Sequence, residues 1–137
     1  MADTITSERR SWNMSQIRGK DTKPELRVRS LLHRMGFRFR LHRKDLPGRP
    51  DIVLPKYRTV VLVHGCFWHR HPECRFAYMP KSRISFWSKK FKQNVERDKR
   101  NQQAMADLGW KVIVVWECEL RNLKLLQKRL RSDVAHA

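Results

Sequence analysis

Three histidines, two cysteines and two adjacent aromatics crowd into eleven residues, His64-Gly65-Cys66-Phe67-Trp68-His69-Arg70-His71-Pro72-Glu73-Cys74. Cysteine thiolates and imidazoles are metal ligands, and imidazole also transfers protons near neutral pH. A third cysteine, Cys118, lies far downstream. Cys66, Cys74 and Cys118 supply three donors of a tetrahedral structural zinc site, and His69 or His71 supplies the fourth; spacing alone does not choose between them. The competing reading is three buried free thiols beside a solvated histidine-rich turn, because no Cys-x-x-Cys pair is present. The odd cysteine count argues against a disulfide framework.

Asp51 is the carboxylate whose setting matters most. It follows Pro50 at the start of an apolar strand, and the neighbouring apolar strand ends at His64. A lone carboxylate there is ordinarily a cap or an ion-pair partner. In a chain this basic, beside histidines, it also suits Mg²⁺ held against a phosphodiester. Glu25 either joins that shell or serves only as a helix-capping residue. His64 and His69 lie near the same strand end, where an imidazole can activate a water. For His69 that role competes with zinc ligation. Asp98 either orients a histidine or pairs with the Lys and Arg around it.

The charge balance names the partner class. Thirty-one Lys and Arg against thirteen Asp and Glu give a net charge of +18, a field that favours a polyanion, with nucleic acid first. A membrane surface is disfavoured, since no stretch joins a basic face to a broad apolar one. No apolar run approaches the ~20 residues needed to span a bilayer, and Met1 to Arg10 lacks a signal-peptide core. The expectation is a soluble, intracellular protein, and 137 residues fit one domain.

The elements that must position these groups are legible in outline. A polar arm is expected over residues 1–10, with a short helix near Ser11 to Arg18. Thr22-Lys23-Pro24-Glu25 forms a capping box for a helix carrying Val28, Leu31, Leu32 and Met35 and closed by Gly36. Phe37, Phe39 and Leu41 alternate with arginines as a half-exposed strand. Pro47-Gly48-Arg49-Pro50 is a turn before a strand over 51–54. Residues 59–63 and 110–116 are apolar enough for buried central strands. Residues 82–108 are helical, with Ile84, Trp87 and Phe91 on one face, and Leu123, Leu126 and Leu130 mark a last helix. The order predicts a three-layer α/β/α domain around a mixed sheet.

Taken together, a set of motifs resembles the very short patch repair endonuclease family. It comprises Asn13-Met14, Asp21-Thr22, Leu46-Pro47-Gly48-Arg49-Pro50-Asp51, His64-Gly65-Cys66-Phe67-Trp68-His69, Phe86-Trp87, Asn94-Val95-Glu96-Arg97-Asp98, and Leu108-Gly109-Trp110 through Trp116-Glu117-Cys118. The set runs from about residue 11 to 121.

The resemblance implies a restriction-endonuclease-like fold with a zinc-stabilised loop. Residues 1–20 are then an arm and short helix contacting DNA, and residues 21–137 a single nuclease domain. It implies Mg²⁺-dependent nicking 5′ of the thymine in T·G mismatches left by deamination of 5-methylcytosine. Asp51 and the Val63 carbonyl would hold Mg²⁺, His69 would act as base, and Glu25 and His64 would support the site. Zinc would sit on Cys66, His71, Cys74 and Cys118. Phe67, Trp68 and Trp87 would insert beside the mismatch, with Met14 opposite them. The implied setting is the bacterial cytoplasm at the nucleoid, as a monomer, with mismatch-repair proteins as a further contact.

One departure stands out. Many nucleases of this broader fold carry an acidic-x-Lys motif on the strand that here reads Val61-Leu62-Val63-His64, so histidines must take over its role. The rival class is a zinc-stabilised DNA-binding module without catalysis. A third is a nuclease acting on structured or damaged DNA in general.

Overall fold

The computed structural model describes residues 22–135. Met14, the 1–20 arm, its short helix and Asp21 lie outside them. Helix α1 spans Lys23–Arg34, with the Thr22 side chain accepting the Glu25 N–H and Pro24 in the first turn, where a missing donor costs nothing. Gly36 follows at φ +89°, a left-handed position that glycine takes without a Cβ clash.

Four strands follow: β1 Arg40–Leu41, β2 Ile52–Leu54, β3 Thr59–His64 and β4 Lys111–Trp116. They lie in the order β1-β2-β3-β4, antiparallel for the first two pairings and parallel for β3 and β4. Helix α2, Ile84–Asp107, is the crossover between the parallel pair, and α3, Leu123–Ala135, closes the described chain. A 3-10 turn over Pro55–Tyr57 links β2 to β3, and another over Glu117–Arg121 follows β4.

Strand alternation sorts the core into two layers. Ile52, Leu54, Val61, Ile113 and Val115 face α1 and α3, packing with Val28, Leu32, Leu126 and Leu130. Val53, Val60 and Leu62 face the other way, against Met105 of α2. The central strands β2 and β3 are covered on both faces, which is why they read as continuous apolar runs. The predicted three-layer α/β/α arrangement with a mixed sheet is the one observed.

The strand expected over Phe37–Leu41 is shorter than its alternation suggests, since only Arg40 and Leu41 pair with β2. Phe37 and Phe39 still pack on the core, Phe37 edge-on to Tyr57 at 5.6 Å. Their burial comes from this side-chain packing, so the alternation survives without the ladder. Gly48 locks the turn that follows. It sits at φ +73°, and a Cβ there would come within 2.8 Å of Asn101 Cβ on α2. Close approach of turn to helix fixes where Asp51 emerges.

Candidate active site

The register of the parallel pair builds most of the site. His64 stands opposite Trp116, so Cys66 and Cys118 each lie two residues past the same rung. The two ends of a long excursion are thus held side by side by strand pairing alone. Around them gather Cys74 and His71, one donor atom from each of the four lying within 4.8 Å of the others. His71 Nδ1 is 3.5 Å from Cys118 Sγ, and its ring stacks on Trp116 at 4.2 Å. His71, rather than His69, completes this cluster.

Four sulfur and nitrogen donors at this spacing suit a tetrahedral metal ion. Burial pushes the Cys66 thiol up to about 12. Cys118 is also raised by burial, whereas Cys74 is lowered, chiefly by a hydrogen bond from the Phe76 backbone. A metal seated here displaces thiol protons, which ties its affinity to pH.

A second cluster holds His64, His69 and Asp98. His69 Nδ1–H donates to Asp98 Oδ2 at 2.6 Å, which leaves Nε2 as the proton-accepting nitrogen. Asp98 is a residue of α2, and Asn94, one turn earlier, donates to the Trp68 carbonyl at 3.1 Å. The helix therefore fixes both the loop and its imidazole. His64 stacks on His69 at 3.9 Å and 7° from parallel. Its pKa is lowered to about 4, first by burial and then by His69, so His64 is neutral at pH 7.

A third cluster joins Glu25, His42 and Asp51. Asp51 Oδ2 accepts the Val63 N–H at 2.9 Å, bringing the carboxylate beside the Val63 backbone. Burial, with Glu25 close by, raises Asp51 to about 6. Glu25 is 2% exposed and pairs with Arg29 and with His42 Nε2, the latter at 3.1 Å. Two carboxylates crowded out of water at one spot, one holding its proton more tightly, fit a hard divalent cation that would neutralise both.

Sequence reading missed His42. The signal was present: β1 and β2 pair antiparallel around the Pro47-Gly48 turn, so the ladder carries His42 opposite Asp51. The His42 N–H donates to the Asp51 carbonyl at 3.2 Å.

The aromatics form one nest. Phe67 touches Trp68, Tyr78, Trp87 and Phe91 at centroid distances of 5.1–5.6 Å. Phe67 and Trp68 are half-buried, but Trp87 is 4% exposed. In this conformation Trp87 backs the nest, while its neighbour Phe86 is 46% exposed. Arg70, also missed, binds the nest from outside. Its guanidinium donates to the carbonyls of Phe67, Ala77 and Tyr78 and lies 3.9 Å over Phe91.

A mixed sheet between helical layers, with carboxylates and imidazoles gathered at one end, is the architecture of a restriction-endonuclease-like nuclease domain. The catalytic domain of the homing endonuclease I-Bth0305I has the same fold, with a TM-score of 0.58 at 19% identity over 82% of this chain and 94% of that one. The family described as DNA mismatch endonuclease Vsr matches residues 2–75, and the chain belongs to it.

Relatives are similar over nearly the whole chain. The type II nicking enzyme V.XorIIP of Xanthomonas oryzae pv. oryzae is 56% identical, covering 96% of each chain. The type II nicking enzyme V.NmeAIP of Neisseria meningitidis is 48% identical over 98% of this chain and 95% of its own. The DNA mismatch endonuclease Vsr of Escherichia coli is 46% identical over 92% of this chain and 80% of its own. The protein is thus a phosphodiester-cleaving enzyme, and the class of non-catalytic DNA-binding modules is set aside. Among the described residues, no helix is long and apolar enough to cross a membrane.

Proposed function

We propose that the protein nicks double-stranded DNA on the 5′ side of the thymine in T·G mismatches arising from deaminated 5-methylcytosine. The observation that carries the chemistry is the Asp98–His69 pair, an imidazole held by a carboxylate at 2.6 Å in the segment that leaves β3 at the same end of the sheet as Asp51. Such a pair orients the ring and stabilises the imidazolium formed when Nε2 takes a proton.

His69 is the base that accepts the proton of the attacking water. His64, neutral and stacked against it, donates or accepts hydrogen bonds at the phosphate without adding charge. Asp51 and the Val63 carbonyl are assigned to Mg²⁺, with Glu25 in support. When bound there, the cation supplies charge to the phosphodiester oxygens.

Zn²⁺ is assigned to Cys66, His71, Cys74 and Cys118. It ties the loop bearing His69 and the aromatics to the end of β4. Phe67 and Trp68 are the wedges that enter a mismatch, where unstacking costs less than at a matched step. Trp87 joins them only when the nest opens, and Met14 approaches from the opposite side. The +18 charge supplies sequence-independent affinity for the backbone. The reading extends to residues 1–20 as a DNA-contacting arm on a single nuclease domain of residues 21–137. It extends also to a monomer at the bacterial nucleoid, in contact with mismatch-repair proteins.

The test is nicking of a labelled T·G duplex with Mg²⁺ and with EDTA. One cut strand with Mg²⁺ and none with EDTA is expected. No cut under any divalent metal overturns the reading. Equal rates on matched DNA would favour a general nuclease instead.

A further inference from the structure

We propose that His42 is a nitrogen donor to the cation held by Asp51, so that this site takes Mn²⁺ in preference to Mg²⁺. The proposal rests on the assignment of Asp51 as a cation ligand. One donor atom each from Glu25, His42 and Asp51 lies within 4.8 Å of the other two. Ligands about 2.2 Å from one octahedral ion stand about 3.1 Å apart when adjacent and about 4.4 Å when opposite, so side-chain adjustments of up to about 1–2 Å close the set around a single cation.

The backbone delivers His42 to this place on purpose-built terms. Its N–H extends the β1–β2 ladder to the Asp51 carbonyl, and its φ of 48° is a left-handed conformation uncommon for a residue with a Cβ. The imidazole is thereby carried to the carboxylates, with Nε2 3.1 and 3.3 Å from the two Glu25 oxygens. Arg29, paired with Glu25 and 3.4 Å from His42 Nε2, already offsets one carboxylate charge. A neutral nitrogen, adding no further negative charge, therefore suits the third position.

The chemical consequence follows from donor type. Mg²⁺ is bound through oxygen and gains little from imidazole, whereas Mn²⁺ and the later divalent ions accept it readily. Coordination uses the neutral ring with its proton on Nδ1. The hydrogen bond to Glu25 then gives way to a shared cation.

Pulsed EPR of Mn²⁺ bound to the full-length protein, zinc cluster loaded, tests this directly. The wild type should show a ¹⁴N coupling that becomes a ¹⁵N coupling when histidine is labelled. Mn²⁺ should bind at least ten times more tightly than Mg²⁺ in competition. His42→Gln should lose the coupling and most of that preference, with Mg²⁺ affinity changed less than threefold. A wild type without nitrogen coupling overturns the proposal, and so does a coupling that survives in His42→Gln. The labelled wild type decides the first point even where the variant folds poorly. Asp51→Asn separates the two layers: if it binds Mn²⁺ as tightly as wild type, the assignment of Asp51 itself fails.

Discussion

His64 and His69 lie ring on ring, 3.9 Å between centroids and nearly parallel. Two stacked imidazoles do not both become imidazolium without strong repulsion, and burial keeps His64 neutral down to about pH 4. The proposed mechanism therefore gives the proton chemistry to the ring that has the carboxylate, His69 with Asp98. Asp98→Asn should lower kcat by roughly 100-fold or more, leaving DNA affinity within a few-fold of wild type. Single-turnover nicking alongside equilibrium binding checks this. An unchanged kcat would reduce Asp98 to a surface ion-pair partner.

Asp51→Asn should abolish nicking and yet stabilise the fold. The folded-state pKa of Asp51 is raised from 3.8 to about 6 by burial and by Glu25, so above pH 6 the fold carries a buried charge that the unfolded chain solvates. Removing it should add about 1–3 kcal/mol at pH 8 without added divalent cation. The gain should shrink as pH falls below 6 and vanish near 4, where the carboxyl is protonated in both states. Urea denaturation at several pH values measures it. A variant less stable than wild type at pH 8 would contradict the burial argument.

The same series exposes His64. Its folded pKa is depressed from 6.5 to about 4, so the stability it contributes is complete above pH 6.5 and is lost on acidification through that window. Asp51 has the opposite slope between pH 6 and 4 and masks part of the loss in wild type. In Asp51→Asn, stability should fall more steeply between pH 6.5 and 4 than in wild type. Parallel curves would show that Asp51 titrates normally, and a flat curve in Asp51→Asn would show the same of His64.

Cys118→Ala removes a donor that only the β3–β4 register brings to Cys66 and His71. Bound zinc should drop below one per chain and stability fall by at least roughly 3 kcal/mol. Metal analysis of the purified protein is the check, and unchanged zinc content would refute the ligand set.

Trp68→Ala should weaken binding to a T·G duplex about 5- to 100-fold, the range for loss of one stacking aromatic, with a much smaller effect on matched DNA. The nest geometry leaves Phe67 and Trp68 half-buried in the protein alone. Equal losses on both duplexes would make Trp68 a packing residue.

Much of this site is legible in the residues because it is built on strand ends. The apolar runs of β2, β3 and β4 place Asp51, His64 and Cys118 at predictable positions, and the turn at Pro47-Gly48 says that the chain doubles back. What the chain order does not display is pairing. His42 and Asp51 face each other only once β1 and β2 are laid antiparallel. The choice of His71 over His69 for the cysteine cluster depends on the path of a loop with left-handed residues at Arg70 and Glu73, which no periodicity encodes. Helical spacing grouped Ile84, Trp87 and Phe91 on one face, yet Ile84 is 54% exposed while the other two are buried. The tertiary nest overrides the helix pattern there.

Nick mapping at nucleotide resolution tests the central claim most directly. A duplex labelled in turn on each strand, carrying one T·G pair, is incubated with the protein and Mg²⁺ beside a matched T·A control. A single break immediately 5′ of the mismatched thymine, an intact guanine strand and a far slower reaction on the control are predicted. Breaks in both strands, or equal cutting of the matched duplex, would contradict it.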